Sequence, residues 1–277
     1  MMKRILAPTD FSSVSVNAVK YAAEFCRDTQ SELVLLHILE GTSVEQAVDI
    51  TGEVEEMEKT DYQVVEEKLI DLCDSLKDKC NCNCRYVIKH GNLGFLSGLI
   101  HKIEHSHFDL VVLGTSGASN IAKFYLGSHS YRLAVKVSPP VLLVPKVARY
   151  NKLRRIVYAS DYEAEDVSVL KSVLQLTVPL RAKVTVLHVS KKDTEAGEIL
   201  FKNVQDLLEH DLDEGDISFD KIISKERIAT AIDLYMIEQD QQLLVVLARD
   251  YSLIERLFHK SVTKEISQDF VYPLLIM

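Results

Sequence analysis

Short, almost unbroken apolar runs recur along this chain, and between them lie stretches whose apolar residues return at helical spacing. In the first half the runs are Ile5-Leu6-Ala7, Leu33-Val34-Leu35-Leu36, Arg85-Tyr86-Val87-Ile88, Leu110-Val111-Val112-Leu113 and Pro140-Val141-Leu142-Leu143-Val144-Pro145. They are too short for helices and too uniformly apolar for strands with a wet face, so they predict strands buried on both sides. Val14, Ala18, Tyr21, Ala22 and Phe25 mark one face of a predicted helix from Val14 to Cys26, and a second is predicted from Leu96 to Glu104. A polar, acidic stretch from about Val44 to Leu76 keeps helical periodicity and predicts an exposed amphipathic helix with a mobile loop.

The whole pattern occurs twice. Arg4-Ile5 through Leu36-His37 aligns without a gap on Arg155-Ile156 through Leu187-His188, at a constant offset of 151 residues. The second half continues with Lys221-Ile222-Ile223, Leu243 to Leu247 and Pro273 to Met277 as strands. Its helices are predicted from Val167 to Leu176, Ala196 to Leu212 and Ile228 to Gln239. Five strands per half, alternating with helices, call for two parallel α/β sheets covered on both faces. The expected units are residues 1–146 and 153–277, joined at 147–152 by a basic stretch that has no periodicity.

A length of 277 residues suits two domains. Lys and Arg total 32 against 41 Asp and Glu, and the net charge of −9 opposes nonspecific nucleic-acid binding. No apolar run approaches the ~18 residues that span a membrane, and the N-terminal apolar run breaks at Pro8, too early for a signal peptide. A cytoplasmic location with no membrane partner is expected, and five unpaired-looking cysteines fit a reducing compartment. Cys80, Cys82 and Cys84 alternate, so an extended segment would point all three one way. They lack zinc-site spacing, and the plain alternative is a loop entering the third strand.

Candidate chemistry collects where strands end. Gly114 and Gly117 follow the fourth strand, Gly127-Ser128 come nine residues later, and Ser128, His129 and Ser130 open an apolar, helix-like stretch. Glycines let the chain turn and approach a ligand closely, and the first amides of a helix favour an anion, so the pattern predicts a phosphate cradle. Asp10 and its repeat Asp161 stand between a strand and a helix, where an aspartate serves as N-cap or as ligand contact. His37 and His188 occupy equivalent strand ends in both halves, which favours a structural hydrogen bond, and His129 reads equally as a phosphate donor or a surface residue. No catalytic constellation assembles, so no catalytic residue is assigned.

Three segments together, Ala7-Pro8-Thr9-Asp10-Phe11-Ser12, Leu36-His37-Ile38-Leu39-Glu40 and the Gly114, Gly117, Gly127-Ser128 signature, resemble the universal stress protein family, in tandem over both halves. The resemblance implies two Rossmann-like, five-stranded parallel α/β domains of the adenine nucleotide alpha hydrolase type. It implies ATP at the carboxyl edge of the first sheet, with Mg²⁺ or Mn²⁺ on the phosphates. Pro8, Thr9 and Asp10 would line the ribose and metal side, and the backbone of Ile38 would read the adenine. Leu113 and Gly114 would pass beneath the nucleotide, and Gly117, Gly127, Ser128, His129 and Ser130 would surround the phosphates with Ser116 close by. Metal ligands are not assigned. The implied role is a nucleotide-dependent stress sensor or switch. The alternatives are a nucleotide-independent interaction scaffold and a slow ATP hydrolase.

The second copy departs from the signature, reading Ala248, Tyr251, Lys260 and Ser261 with one residue missing. A degenerate site is expected there, one at which Lys260 and Arg249 hold another anion if they hold any ligand. The resemblance also implies that the last strand of each half, Val141 to Val144 and Leu274 to Met277, joins the two into an intramolecular pseudo-dimer; a homodimer of whole chains is a further option.

Overall fold

The computed structural model describes residues 2–39, 57–90, 94–115, 133–134, 136–162, 164–192, 199, 202, 206, 216–248 and 272–277. The first half runs β1 (Arg4–Pro8), α1 (Ser13–Thr29), β2 (Glu32–Leu39), α2 (Met57–Cys80), β3 (Asn83–His90), α3 (Phe95–Glu104), β4 (Leu110–Thr115) and β5 (Val141–Pro145). The second half repeats it as β6 (Arg155–Ala159), α4 (Ala164–Thr177), β7 (Lys183–Ser190), β8 (Ile217–Ile223), α5 (Ile228–Glu238), β9 (Leu243–Val246) and β10 (Leu274–Ile276). Every predicted apolar run lies on a strand, because strands covered on both faces need unbroken apolar sequence.

All ten strands belong to one sheet, ordered β3-β2-β1-β4-β5-β10-β9-β6-β7-β8. Within each half every described pairing is parallel. The two halves meet at an antiparallel pairing, Leu143 with Leu274, Leu142 with Leu275 and Val141 with Ile276. Each face of the sheet carries its own core. Alternate residues Ile5, Leu33, Leu35, Leu110 and Val112 pack with α1, α2 and α4, and Leu6, Val34, Leu36 and Val111 pack with α3 and α5. Burying each such side chain contributes about 1.5–3 kcal/mol, which makes the sheet centre the anchor of the fold.

Helix α1 shows how local sequence sets the frame. Ser12 caps it by accepting the Ser15 amide, and Gln30 ends it in a left-handed conformation whose amide returns to the last turn. Ala18, Ala22 and Ala23 are buried, so the helix settles closely on the sheet. Helix α2 begins at Met57, so the loop expected in the Val44 region falls outside the described residues, as does most of the stretch from Ala196 to Leu212. Strand β8 starts at Ile217, four residues before the expected Lys221. The basic connector is held in place: Asn17 Nδ2 donates to the carbonyls of Pro145 and Ala148 (3.0 Å each), and Arg149 Nη1 returns to Asn17 Oδ1 at 2.6 Å.

Candidate nucleotide site at the carboxyl edge of the first half

Strand order 3-2-1-4-5 puts β1 and β4 side by side with their connections leaving in opposite directions, and open α/β sheets bind ligands at such a switch point. The ladders show the opening. The pairing of β1 with β4 stops at Leu6–Val111, whereas β1 stays paired with β2 to Pro8–Leu36 and β4 with β5 to Thr115–Pro145. Above Leu6 the two central strands therefore part, and Pro8-Thr9-Asp10 and Leu113-Gly114 stand on the two walls.

The first wall is a tight turn. The Thr9 amide donates to the Leu36 carbonyl (2.8 Å), and the buried Thr9 hydroxyl accepts the Phe11 amide (3.0 Å) and pairs with Ser15 Oγ (3.1 Å). Phe11 sits at φ 61, a left-handed backbone that costs a non-glycine residue of order 1 kcal/mol. Its ring stacks on His37 at 4.9 Å with Lys68 Nζ 5.5 Å from the ring centroid, and His37 Nδ1 donates to the Thr9 carbonyl at 2.8 Å. His37 is thus a structural residue, and the same contact in His188, to the Ser160 carbonyl at 2.8 Å, follows from the repeat.

Asp10 is not the N-cap; Ser12 is, because the left-handed turn at Phe11 delays the helix. The Asp10 carboxylate is exposed, and Oδ1 accepts both the Ser12 amide (3.0 Å) and the Ser15 hydroxyl (2.6 Å). Partial burial opposes its ionisation, but the hydrogen bonds from Ser12 and Ser15 outweigh it and hold the carboxyl below its ordinary value. Phe11, Ser12 and Ser15 are the structuring residues that the sequence reading did not single out. The aromatic pair Phe11 and Tyr162, both at positive φ and 151 residues apart, was the available signal.

Ile38 lies beyond the end of β1. Because the Leu36 carbonyl receives the Thr9 amide, the backbone of Leu36 faces β1, and two residues on that of Ile38 faces the same side, past the point where β1 has turned away. On the opposite wall Gly114 is not a turn residue. Strand β4 continues through it to Thr115, and a Cβ at Gly114 would stand 2.6 Å from the Val14 carbonyl oxygen. Glycine is required there by the close approach of α1. Ser116, Gly117, Gly127, Ser128, His129 and Ser130 lie outside the described residues.

Strand register corrects the alignment of the second glycine region. Val111 pairs with Val141 and Leu244 with Leu274, so Leu247, not Ala248, holds the place of Gly114. Counted from there, Asp250 falls on Gly117 and Lys260 on Gly127 with no residue missing. The three alternating cysteines do not share a strand: Cys80 ends α2, and Cys84 lies on β3. Among the described residues no group of three or more histidine, cysteine or acidic side chains is arranged to hold a metal, and no helix is long and apolar enough to cross a membrane.

The Universal stress protein family model matches residues 1–145. Two universal stress proteins of Methanocaldococcus jannaschii are 26% and 24% identical over 156 and 151 residues, each over 53% of this chain and over 96% and 84% of their own lengths. The crystal structure of a universal stress protein from Archaeoglobus fulgidus is similar at a TM-score of 0.69 and 16% identity, covering 99% of this chain and 97% of that one. A Pseudomonas aeruginosa structure, described as a putative universal stress protein, is similar at 0.59 and 14% identity over 100% and 93%. At these identities the structural likenesses bear on the fold alone.

Proposed function

Because this chain belongs to the universal stress protein family, we propose that its first half binds ATP between the parted ends of β1 and β4, and that occupancy of this site is the signal the protein passes on. The observation that carries the reading is the early end of the β1–β4 ladder at Leu6–Val111 while both flanking ladders continue. That opening lies within the family match, residues 1–145, and is flanked by residues the motif selects.

In this reading Pro8 and Thr9 shape the ribose wall, and the backbone of Ile38, facing the side that β1 has left, meets the adenine edge. Leu113 and Gly114 form the floor. Ser116, Gly117, Gly127, Ser128, His129 and Ser130 take the phosphates through amides and hydroxyls, as their sequence pattern calls for. Asp10 is the group suited to a ribose hydroxyl or to Mg²⁺ or Mn²⁺: it is exposed, its ionised form is favoured, and both of its described hydrogen bonds fall on Oδ1, which assigns the outward role to Oδ2. Such a cation would neutralise phosphate charge; the chain's own residues orient and hold the nucleotide.

The second half, with Leu247 in place of Gly114 and Lys260 in place of Gly127, is assigned no nucleotide. It is proposed to serve structure or partners, as the other half of an intramolecular pseudo-dimer supported by the β5–β10 pairing. Mass analysis of the purified, denatured full chain for adenine nucleotide, followed by thermal shift with ATP and Mg²⁺ and by titration, tests the proposal. One site per chain is the expected result, with loss in Gly127→Lys. Absence of both nucleotide and shift overturns nucleotide binding, and two equal sites overturn the asymmetry.

A further inference from the structure

Four of the five cysteines are buried in the core between α1, α2 and β3, and all five are free thiols. Cys73 on α2 and Cys84 on β3 face one another with Sγ atoms 2.9 Å apart, and Cys26 on α1 lies against Cys82. A disulfide has a sulfur separation of about 2.05 Å, so joining Cys73 to Cys84 needs an approach of only about 0.9 Å.

We propose that Cys73 and Cys84 are a redox modification site, oxidised by a hydroperoxide to a reversible disulfide that fastens α2 to the edge strand β3. In the first step Cys73, its thiol proton given to solvent, attacks one oxygen of hydrogen peroxide as the thiolate; the O–O bond breaks, the sulfur becomes a sulfenic acid, and the departing hydroxide takes a proton from solvent and leaves as water. In the second the Cys84 sulfur attacks the sulfenic sulfur, its proton leaves with the hydroxyl as a second water, and the S–S bond forms. Two thiols lose two electrons and the peroxide gains them. A small dithiol reverses the bond by exchange.

The surroundings assign the order of events. Cys73 shares a hydrogen bond with Cys84, and that contact together with the nearby Lys77 ammonium pulls the Cys73 thiol below the ordinary value despite burial. Cys84 is raised by the same contact and by burial, and Cys80 is raised by burial and by the Glu24 carboxylate. Thiolate is the reactive form, so Cys73 attacks first and Cys84 resolves. The bond would close a short loop across the end of α2. Lys68, about a turn and a half earlier on that helix, is the residue over the Phe11 ring, so the staple also steadies the cover of the left-handed turn.

The test uses the full chain, reduced and then exposed to hydrogen peroxide, alkylated, digested with trypsin and mapped without reductant. Cys73 falls in the peptide ending at Lys77, and Cys84 shares the peptide ending at Arg85 with Cys80 and Cys82. The expected product joins these two peptides through Cys84 by fragmentation, persists in Cys80→Ser and Cys82→Ser, disappears in Cys84→Ala, and is removed by dithiothreitol. Oxidation should also raise the thermal midpoint by about 5 °C. A cross-link through Cys26, Cys80 or Cys82, over-oxidation of Cys73 with no cross-link, or thiols unchanged by peroxide would each overturn the proposal. The wild-type map decides the matter even if a variant fails to fold.

Discussion

The two halves share one turn and differ in what surrounds it. Thr9 and Ser160 accept the amides of Phe11 and Tyr162 at 3.0 Å in both, each aromatic residue has positive φ, and each stacks on the histidine of the following strand. Around that constant turn the side chains of the two halves differ in size and charge. Where β1 has Ala7, β6 has the buried Tyr158, and β6 stays paired with β9 one residue further, at Tyr158–Val245. Where α1 has Ser15, α4 has the buried Asp166, which accepts hydrogen bonds from Tyr158 Oη (2.7 Å) and Ser160 Oγ. A buried carboxylate under a shorter opening disfavours a phosphate-bearing guest. The turn is therefore common to both halves, and the opening is a separate property that begins one residue earlier in the first half than in the second.

The most damaging single change is expected at the join between the halves. Leu275→Asp would place an unpaired carboxylate in the antiparallel pairing and should cost about 4–5 kcal/mol or more, seen as a collapse of thermal stability or as two separated transitions. An unchanged melt would mean that β5 and β10 do not join the halves in solution. Tyr158→Ala should cost about 3–5 kcal/mol by leaving a cavity, and the reciprocal Ala7→Tyr should abolish any ATP-induced thermal shift. A retained shift in Ala7→Tyr would break the link between the opening and binding.

Gly114→Leu, which imports the residue of the second half, should cost about 3 kcal/mol by driving a side chain into the Val14 carbonyl, whereas Leu247→Gly should leave the ATP response of the first half untouched. Denaturant unfolding separates the two. His37→Ala and His188→Ala should each lose about 1 kcal/mol; a larger effect of His37→Ala on ATP affinity than on stability would reveal a ligand role. The smallest effect concerns Asp10. Its lowered pKa means that its contribution to folding is present above the unfolded value of about 3.9 and is lost as pH falls through the folded value. Asp10→Asn should flatten that acid limb slightly, and carboxyl titration by NMR would check the direction.

Strands were the most legible part of the molecule, since burial on both faces writes them as apolar runs. Edges blurred where burial is one-sided: Ile217 to Asp220 of β8 mixes polar and apolar residues, and the strand read as starting at Lys221. The site was legible in its local motifs and illegible in its distant contacts. Four polar residues, Thr9, Asp10, Ser12 and Ser13, flank Phe11 after β1, and only the left-handed Phe11 decides that Ser12 caps the helix. Gly114 answers to Val14, a hundred residues away, and Leu247 replaces it only by strand register. The facing of Cys73 and Cys84 across a helix and a strand is likewise absent from any spacing rule.

Because β10 runs against β5, the carboxyl ends of strands in the first half and those in the second lie on opposite rims of the common sheet. The proposed nucleotide rim is thus shared with the amino ends of β6 to β9. Each rim is chemically insulated from the other by the width of the sheet, so one lining can be replaced wholesale, as Tyr158 and Asp166 show, without disturbing its counterpart. What links the two halves along this shared rim is the connector: it leaves β5 at Pro145, is gripped by Asn17 on α1, and enters β6 at Arg155. Any displacement of α1 by a guest would be felt there as tension on the start of the second half.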